Sequence, residues 1–136
     1  MDKLGDDKVA VMHTENIPYT RIDVNDFLTS PEFQEKLSNP QIFELFQAKS
    51  VQYALLNLSR MSPTRTDDLE WIVEQWFGQS GLAKLSIVVN SDIYDFFGAI
   101  LKNMETNTLR FFYDEQFYDG WEAVNWFEET PLDSDT

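Results

Sequence analysis

The chain has 136 residues, 24 of them acidic against ten basic, for a net charge of −14, and it contains no cysteine. A chain of this length makes one domain able to bury roughly two-thirds of its unfolded surface without covalent staples, while the missing thiol excludes a disulfide framework, thiol catalysis, zinc–thiolate sites and iron–sulfur ligation. Acidity on this scale, with no basic residue after Arg110, speaks against nucleic acid and anionic membrane as partners, since both require positive charge on the protein.

From the start, Met1-Asp2-Lys3-Leu4-Gly5-Asp6-Asp7 has no apolar core of a signal peptide, and residues 1–8 read as a flexible N-terminus. No apolar run reaches the length of a membrane span, so the expectation is a cytoplasmic protein without membrane insertion. Val9–His13 and Tyr19–Val24 are short β-prone runs, the second alternating as a half-buried strand does, and predict an antiparallel pair at one side of a sheet. His13, the only histidine, falls in this edge strand and reads as a half-exposed strand residue. Ser30-Pro31-Glu32 opens a helix, with Ser30 as cap, Pro31 in the first helical position and acidic Glu32 and Glu35 at the positive end of the dipole. Asn39-Pro40 either kinks that helix or ends it and starts another.

Tyr53–Leu58 is the central strand, apolar on both faces through Leu55, Leu56 and Leu58, as a strand covered on both sides requires. It empties into a hydroxyl-rich loop, Ser59–Thr66, and then a helix whose stripe is Leu69, Ile72, Val73, Trp76 and Phe77, with Gly78 and Gly81 as stops. Leu85–Val89 is another strand; Asn90-Ser91-Asp92 caps a helix bearing Ile93, Phe96, Phe97, Ile100 and Leu101. Leu109–Tyr113 is the last strand, and Asp114 caps a last helix with Phe117, Trp121, Val124 and Phe127 as its buried line. Thr130-Pro131 ends it, leaving residues 130–136 as an acidic tail. The alternation predicts a single compact α/β domain over 9–129: a mostly parallel sheet of four or five strands, an antiparallel N-terminal edge pair and about four helices.

A strand ending in a polar residue, an Arg a few positions on, a helix of the type Asp68-Leu69-Glu70-Trp71-Ile72 and a Gly before an apolar strand resemble the SpoIIAA-like branch of the STAS domains. The closing strand Thr108-Leu109-Arg110-Phe111-Phe112-Tyr113-Asp114-Glu115 and the helix Trp121-Glu122-Ala123-Val124-Asn125-Trp126-Phe127 carry the likeness furthest, and in element order it covers roughly Tyr19 to Glu129. The resemblance implies a compact α/β domain related in shape to anti-sigma-factor antagonists and to CRAL-TRIO lipid-binding domains. Two positions depart from the pattern: Asn57 stands where many relatives carry Asp, and Ser59–Thr66 lacks the Asp-Ser or Ser-Ser pair followed by Gly of the phosphorylation switch.

In an open α/β sheet the crevice beyond the carboxyl ends of the strands is where function sits, which directs attention to Asn57, Ser59, Arg60, Ser62, Thr64, Arg65 and Thr66. A helix start flanked by Arg60 and Arg65 would stabilise an anion, or a phosphate on Ser62, Thr64 or Thr66; the simpler reading is that Thr64 or Thr66 caps the helix and the arginines pair with acids. Surplus aromatics are the second candidate: Tyr94, Phe97, Trp121 and Trp126 as an apolar pocket or an interface. With no nucleophile elbow, Gly-rich phosphate loop or metal-spaced histidines, no catalytic residue, cofactor or metal is expected. The expectation is a non-enzymatic binding or regulatory module that engages a protein partner or a second copy of itself. The alternatives are a small apolar-ligand or lipid-binding protein and, last, a carboxylate-based enzyme.

Overall fold

Six strands hydrogen-bond in the order in which they occur along the chain: β1 (Lys3–Gly5), β2 (Val9–Thr14), β3 (Tyr19–Phe27), β4 (Tyr53–Ser62), β5 (Lys84–Val89) and β6 (Leu109–Tyr113). The computed structural model describes residues 3–5, 8–14, 19–119 and 121–129; the expected acidic tail over 130–136 and its Thr130-Pro131 stop lie outside them. β1–β2 and β2–β3 are antiparallel, whereas β3, β4, β5 and β6 are mutually parallel. The expected α/β class and antiparallel N-terminal strands are present, and Lys3–Gly5 adds a strand inside the segment read as a flexible arm. β2 is therefore an inner strand, and His13 is not half-exposed: it is buried, with Nδ1 3.0 Å from Thr20 Oγ1.

The helices are α1 (Ser30–Leu37), α2 (Pro40–Ala48), α3 (Thr66–Trp71), α4 (Phe77–Ser80), α5 (Ser91–Phe96), α6 (Gly98–Met104), α7 (Glu115–Tyr118) and α8 (Glu122–Asn125). A π-helical turn, Ile72–Trp76, joins α3 to α4, and a 3₁₀ turn, Trp126–Glu128, follows α8. The cap of α1 is Thr29, one residue before the expected Ser30: its side chain accepts from Glu32 N while Glu32 bonds back to Thr29 N, a reciprocal capping box. At Asn39-Pro40 the chain ends one helix and begins another, with Asn39 as cap. Gly81, at φ +74, closes α4 in the left-handed region where a Cβ is disfavoured; Gly78 lies within α4. The expected last helix is two, because Trp121 takes φ +61 between α7 and α8.

Crossovers of one hand between adjacent parallel strands put their connecting helices on one face of the sheet. Accordingly Phe33, Leu37, Ile42, Phe46, Leu69, Ile72, Trp76 and Leu101 share one core with Ile22, Val24, Leu56, Leu58, Ile87 and Phe111. The opposite face packs Tyr19, Leu55, Val88 and Phe112 against Phe117, Val124, Trp126 and Phe127 from the closing elements. Alternate residues of β4, β5 and β6 thus serve different cores, which is why β4 and β5 are apolar on both faces. Two outward N–H groups of β6 are taken by side chains, Phe111 N donating to Glu105 Oε2 (2.9 Å) and Tyr113 N to Gln116 Oε1 (3.1 Å), which blunts an edge that could otherwise pair with another chain.

Candidate functional site

β4 does not stop at Leu58. It runs to Ser62, with Asn25, Asp26 and Phe27 of β3 paired to Arg60, Met61 and Ser62, so Ser59, Arg60 and Ser62 belong to a strand rather than to the expected loop. From Asp23↔Asn57 to Asn25↔Arg60 the pairing advances two residues on β3 and three on β4, which makes a bulge in β4. One extra residue inverts the facing of everything after it. Met61 therefore turns into the helix-covered core, and Arg60 lies over the Tyr118 ring at 5.6 Å.

The side chain of Asn57 sits in the bulge. Its Oδ1 accepts from Ser59 N (3.2 Å) and Ser59 Oγ (2.7 Å), satisfying the backbone that the bulge releases from the ladder. Its Nδ2 donates to Asp23 Oδ1 (2.9 Å) and to Tyr118 OH (2.8 Å). The acceptor-only carboxylate of Asp23 fixes which end of the amide is nitrogen. Asp23 Oδ1 also accepts from Arg21 Nε at 2.9 Å, and Arg21 lies over the Phe117 ring at 4.7 Å. Residues from β3, β4 and α7 thus form one connected network towards the carboxyl ends of the strands, the position expected of a site in an open α/β sheet.

Beside this network lie exposed aromatics and Arg60, with the acids Glu115, Asp119 and Glu122 exposed on the same closing elements. Tyr118 is 38 % exposed and Trp121 51 %, the Trp121 ring packing edge-on against Phe117 at 5.7 Å; Phe27, 56 % exposed, ends β3 two residues beyond Asn25, the partner of Arg60. Trp121 holds φ +61, a left-handed conformation that strains a bulky residue by about 1–3 kcal/mol and concentrates at functional sites.

The other expected residues separate. Arg60 and Arg65 do not converge: Arg65 is the helix N-cap and its Nη1 binds Asp68 Oδ2 at 3.2 Å. Neither Thr64 nor Thr66 caps that helix, which has no side-chain cap; Thr64 Oγ1 is buried without a partner, and Thr66 is the first helical residue. The Ser62–Pro63 peptide is cis. Tyr94 and Phe97 pack on the core beneath α1–α6, Trp121 and Trp126 on the opposite side of the sheet, so the four do not line one pocket. Tyr94 meets Tyr113 edge-on at 5.2 Å, and burial pushes its phenol pKa up, helped by Glu105. Asp23, Arg21 and Tyr118 were missed in the sequence. The alternation Arg21-Ile22-Asp23 is a visible signal for a polar strand face; Tyr118 offers none.

Clefts open away from this network. One, of about 460 Å³, lies at the amino ends of the strands beside Tyr53, Lys84 and Phe127, the two rings stacked 5.3 Å apart. Lys84 is buried at its base, donating to the carbonyls of Trp126 (2.9 Å), Phe127 (3.4 Å) and Glu129 (2.8 Å) and lying 4.8 Å from the Trp126 ring centre. Burial pushes the Lys84 ammonium pKa down; Glu129 opposes this and Arg110 adds to it. Another, about 390 Å³, is lined by Gln34, Asp67, Glu70, Trp71, Glu74 and Gln75 along the π-helical turn.

A scan of the chain against known protein families finds no match, and a search of the curated proteins finds no similar sequence. No helix among the described residues is long and apolar enough to cross a membrane.

Proposed function

We propose that the chain is a non-enzymatic binding module of the SpoIIAA-like type, which engages a protein partner through Arg60, Tyr118, Trp121 and Phe27. The observation that carries the reading is the Asp23–Asn57–Ser59–Tyr118 network. It pins Tyr118 through Asn57 of β4, whose amide is itself held by Asp23 of β3, and a preorganised anchor loses little entropy on association. Trp, Tyr and Arg are the residue types that dominate binding energy when a patch is buried. The strained Trp121 supports the same reading, because a half-exposed tryptophan contributes little to the fold that would repay its backbone conformation. A cytoplasmic setting is part of the proposal.

Affinity capture with the wild-type chain and with Trp121→Gly tests it. Glycine relieves the left-handed strain, so this variant keeps its stability within about 1 kcal/mol of wild type. The expected result is a partner retained by the wild type and lost by Trp121→Gly and by Arg60→Glu. Identical capture by all three proteins, with unchanged thermal midpoints, would refute the assignment of this surface.

A further inference from the structure

The helix-covered side of the sheet carries a second uncovered feature. Phe96, at the end of α5, is 80 % exposed, and Ile100, four residues later in α6, is 44 % exposed. Their neighbours Phe97 and Leu101 take the inward positions: Phe97 is partly buried against the core, its ring edge-on to Phe96 at 4.8 Å, and Leu101 is buried, while Ala99 is exposed with the pair. The outward pair is therefore not the fringe of a core stripe, and nothing in the chain's described residues covers it.

Charge says what could. α5 bears Asp92 and Asp95 beside the pair, and the α3–π-helical segment of the same layer bears exposed Asp67, Glu70 and Glu74; Lys102 is the cation of α6. A second copy would bring the same acids onto this face and a net −14 with them, so self-association is opposed by like charge. Nucleic acid and anionic lipid have the same wrong sign. An apolar pair rimmed by carboxylates is complementary to a helix with one apolar stripe and flanking lysines or arginines. We infer that the α5–α6 face docks a Lys/Arg-rich amphipathic helix of a partner protein, Phe96 and Ile100 receiving its apolar side chains and Asp92 and Asp95 its cations.

The surface lies on the opposite side of the sheet from Tyr118 and Trp121, so the inference stands independently of the function proposed above. The probe is a synthetic Leu/Lys peptide with apolar residues at helical spacing, titrated by NMR into the full chain at about 0.1 M salt, where distant charges are screened. The controls are the same peptide with Glu for Lys and a scrambled Leu/Lys peptide without an apolar stripe. The inference expects saturable binding of the striped cationic peptide alone, shifts confined to residues 91–104, and binding weakened about tenfold or more by Phe96→Ser with Ile100→Ser. Both side chains are exposed, and an unchanged thermal midpoint verifies that the double variant folds. Trp121→Gly leaves the peptide affinity unaltered. Equal binding of the scrambled peptide, shifts spread over the acidic surface, or full affinity in the double variant overturns the inference. So does a wild-type dimer in size exclusion that the double variant converts to monomer, since a second copy then occupies the face.

Discussion

The amide of Asn57 donates to Asp23 and Tyr118 and accepts from Ser59, so its exchange for the isosteric carboxylate alters three residues' contacts at once. Asn57→Asp removes both donors and sets a buried carboxylate against the partly buried one of Asp23, at a cost of about 2–4 kcal/mol at neutral pH. Two carboxylates that close share a proton, which raises one folded-state pKa above its unfolded value. Stability tied to that proton is present at low pH and is lost as the pH rises through the raised value. Urea unfolding should therefore show a smaller deficit at about pH 4–5 than at pH 7; a pH-independent deficit would contradict the placement of Asp23. Glu32 shows the opposite sign. Its hydrogen bonds with Thr29, and then Lys8, hold its pKa below the ordinary glutamate value. Its contribution is present above that ordinary value and is lost as the pH falls through the lowered one. The thermal midpoint of Glu32→Gln should lie below wild type at neutral pH and converge with it under acid; a constant gap would sink the assignment.

At the scale of elements, the bulge in β4 is the feature that the amino-acid pattern hid. Leu-Asn-Leu-Ser-Arg-Met breaks strict alternation, and its hydroxyls with the following Pro63 read as a loop. What continues the strand is the ladder to Asn25–Phe27, a tertiary fact without local signature, helped by the bonds that Ser59 donates to Asn57 Oδ1. Elements whose signal is local were legible: the parallel order, β6 at Leu109–Tyr113, and the caps Asn90 and Asp114. The Asn57–Asp23 and Asn57–Tyr118 contacts span 34 and 61 residues and could not be read from spacing. Likewise His13 was assigned to an edge because β1 is only three residues long. The inverted facing after the bulge makes a sharp contrast. Met61→Ala, which empties a core site, should cost about 2–4 kcal/mol, whereas Arg60→Ala should stay within about 1 kcal/mol. Denaturant titration of the two variants decides it, and the reverse ranking would place the bulge elsewhere.

For the molecule as a whole, the two faces of the sheet are closed by different means. One is covered by helices that belong to the crossovers themselves; the other waits for α7, α8 and the 3₁₀ turn, fastened at the far end by Lys84. Lys84→Met strips a donor from three carbonyls and should cost about 1–3 kcal/mol. Hydrogen exchange should locate the loss first in residues 121–129, and an unchanged protection pattern there would show that the lysine is not the fastener. The order of closure also bears on synthesis. Because β3 to β6 add one after another, the sheet and its first helical layer assemble as the chain emerges, each strand finding its neighbour already made. Leu55, Val88 and Phe112 on the second face have no full cover until α7, α8 and the 3₁₀ turn fold back on them. A nascent chain that still lacked residues 121–129 would present this greasy, half-roofed sheet to the cell, which makes the docking of α8 and the 3₁₀ turn the point at which a holding chaperone would have to let go.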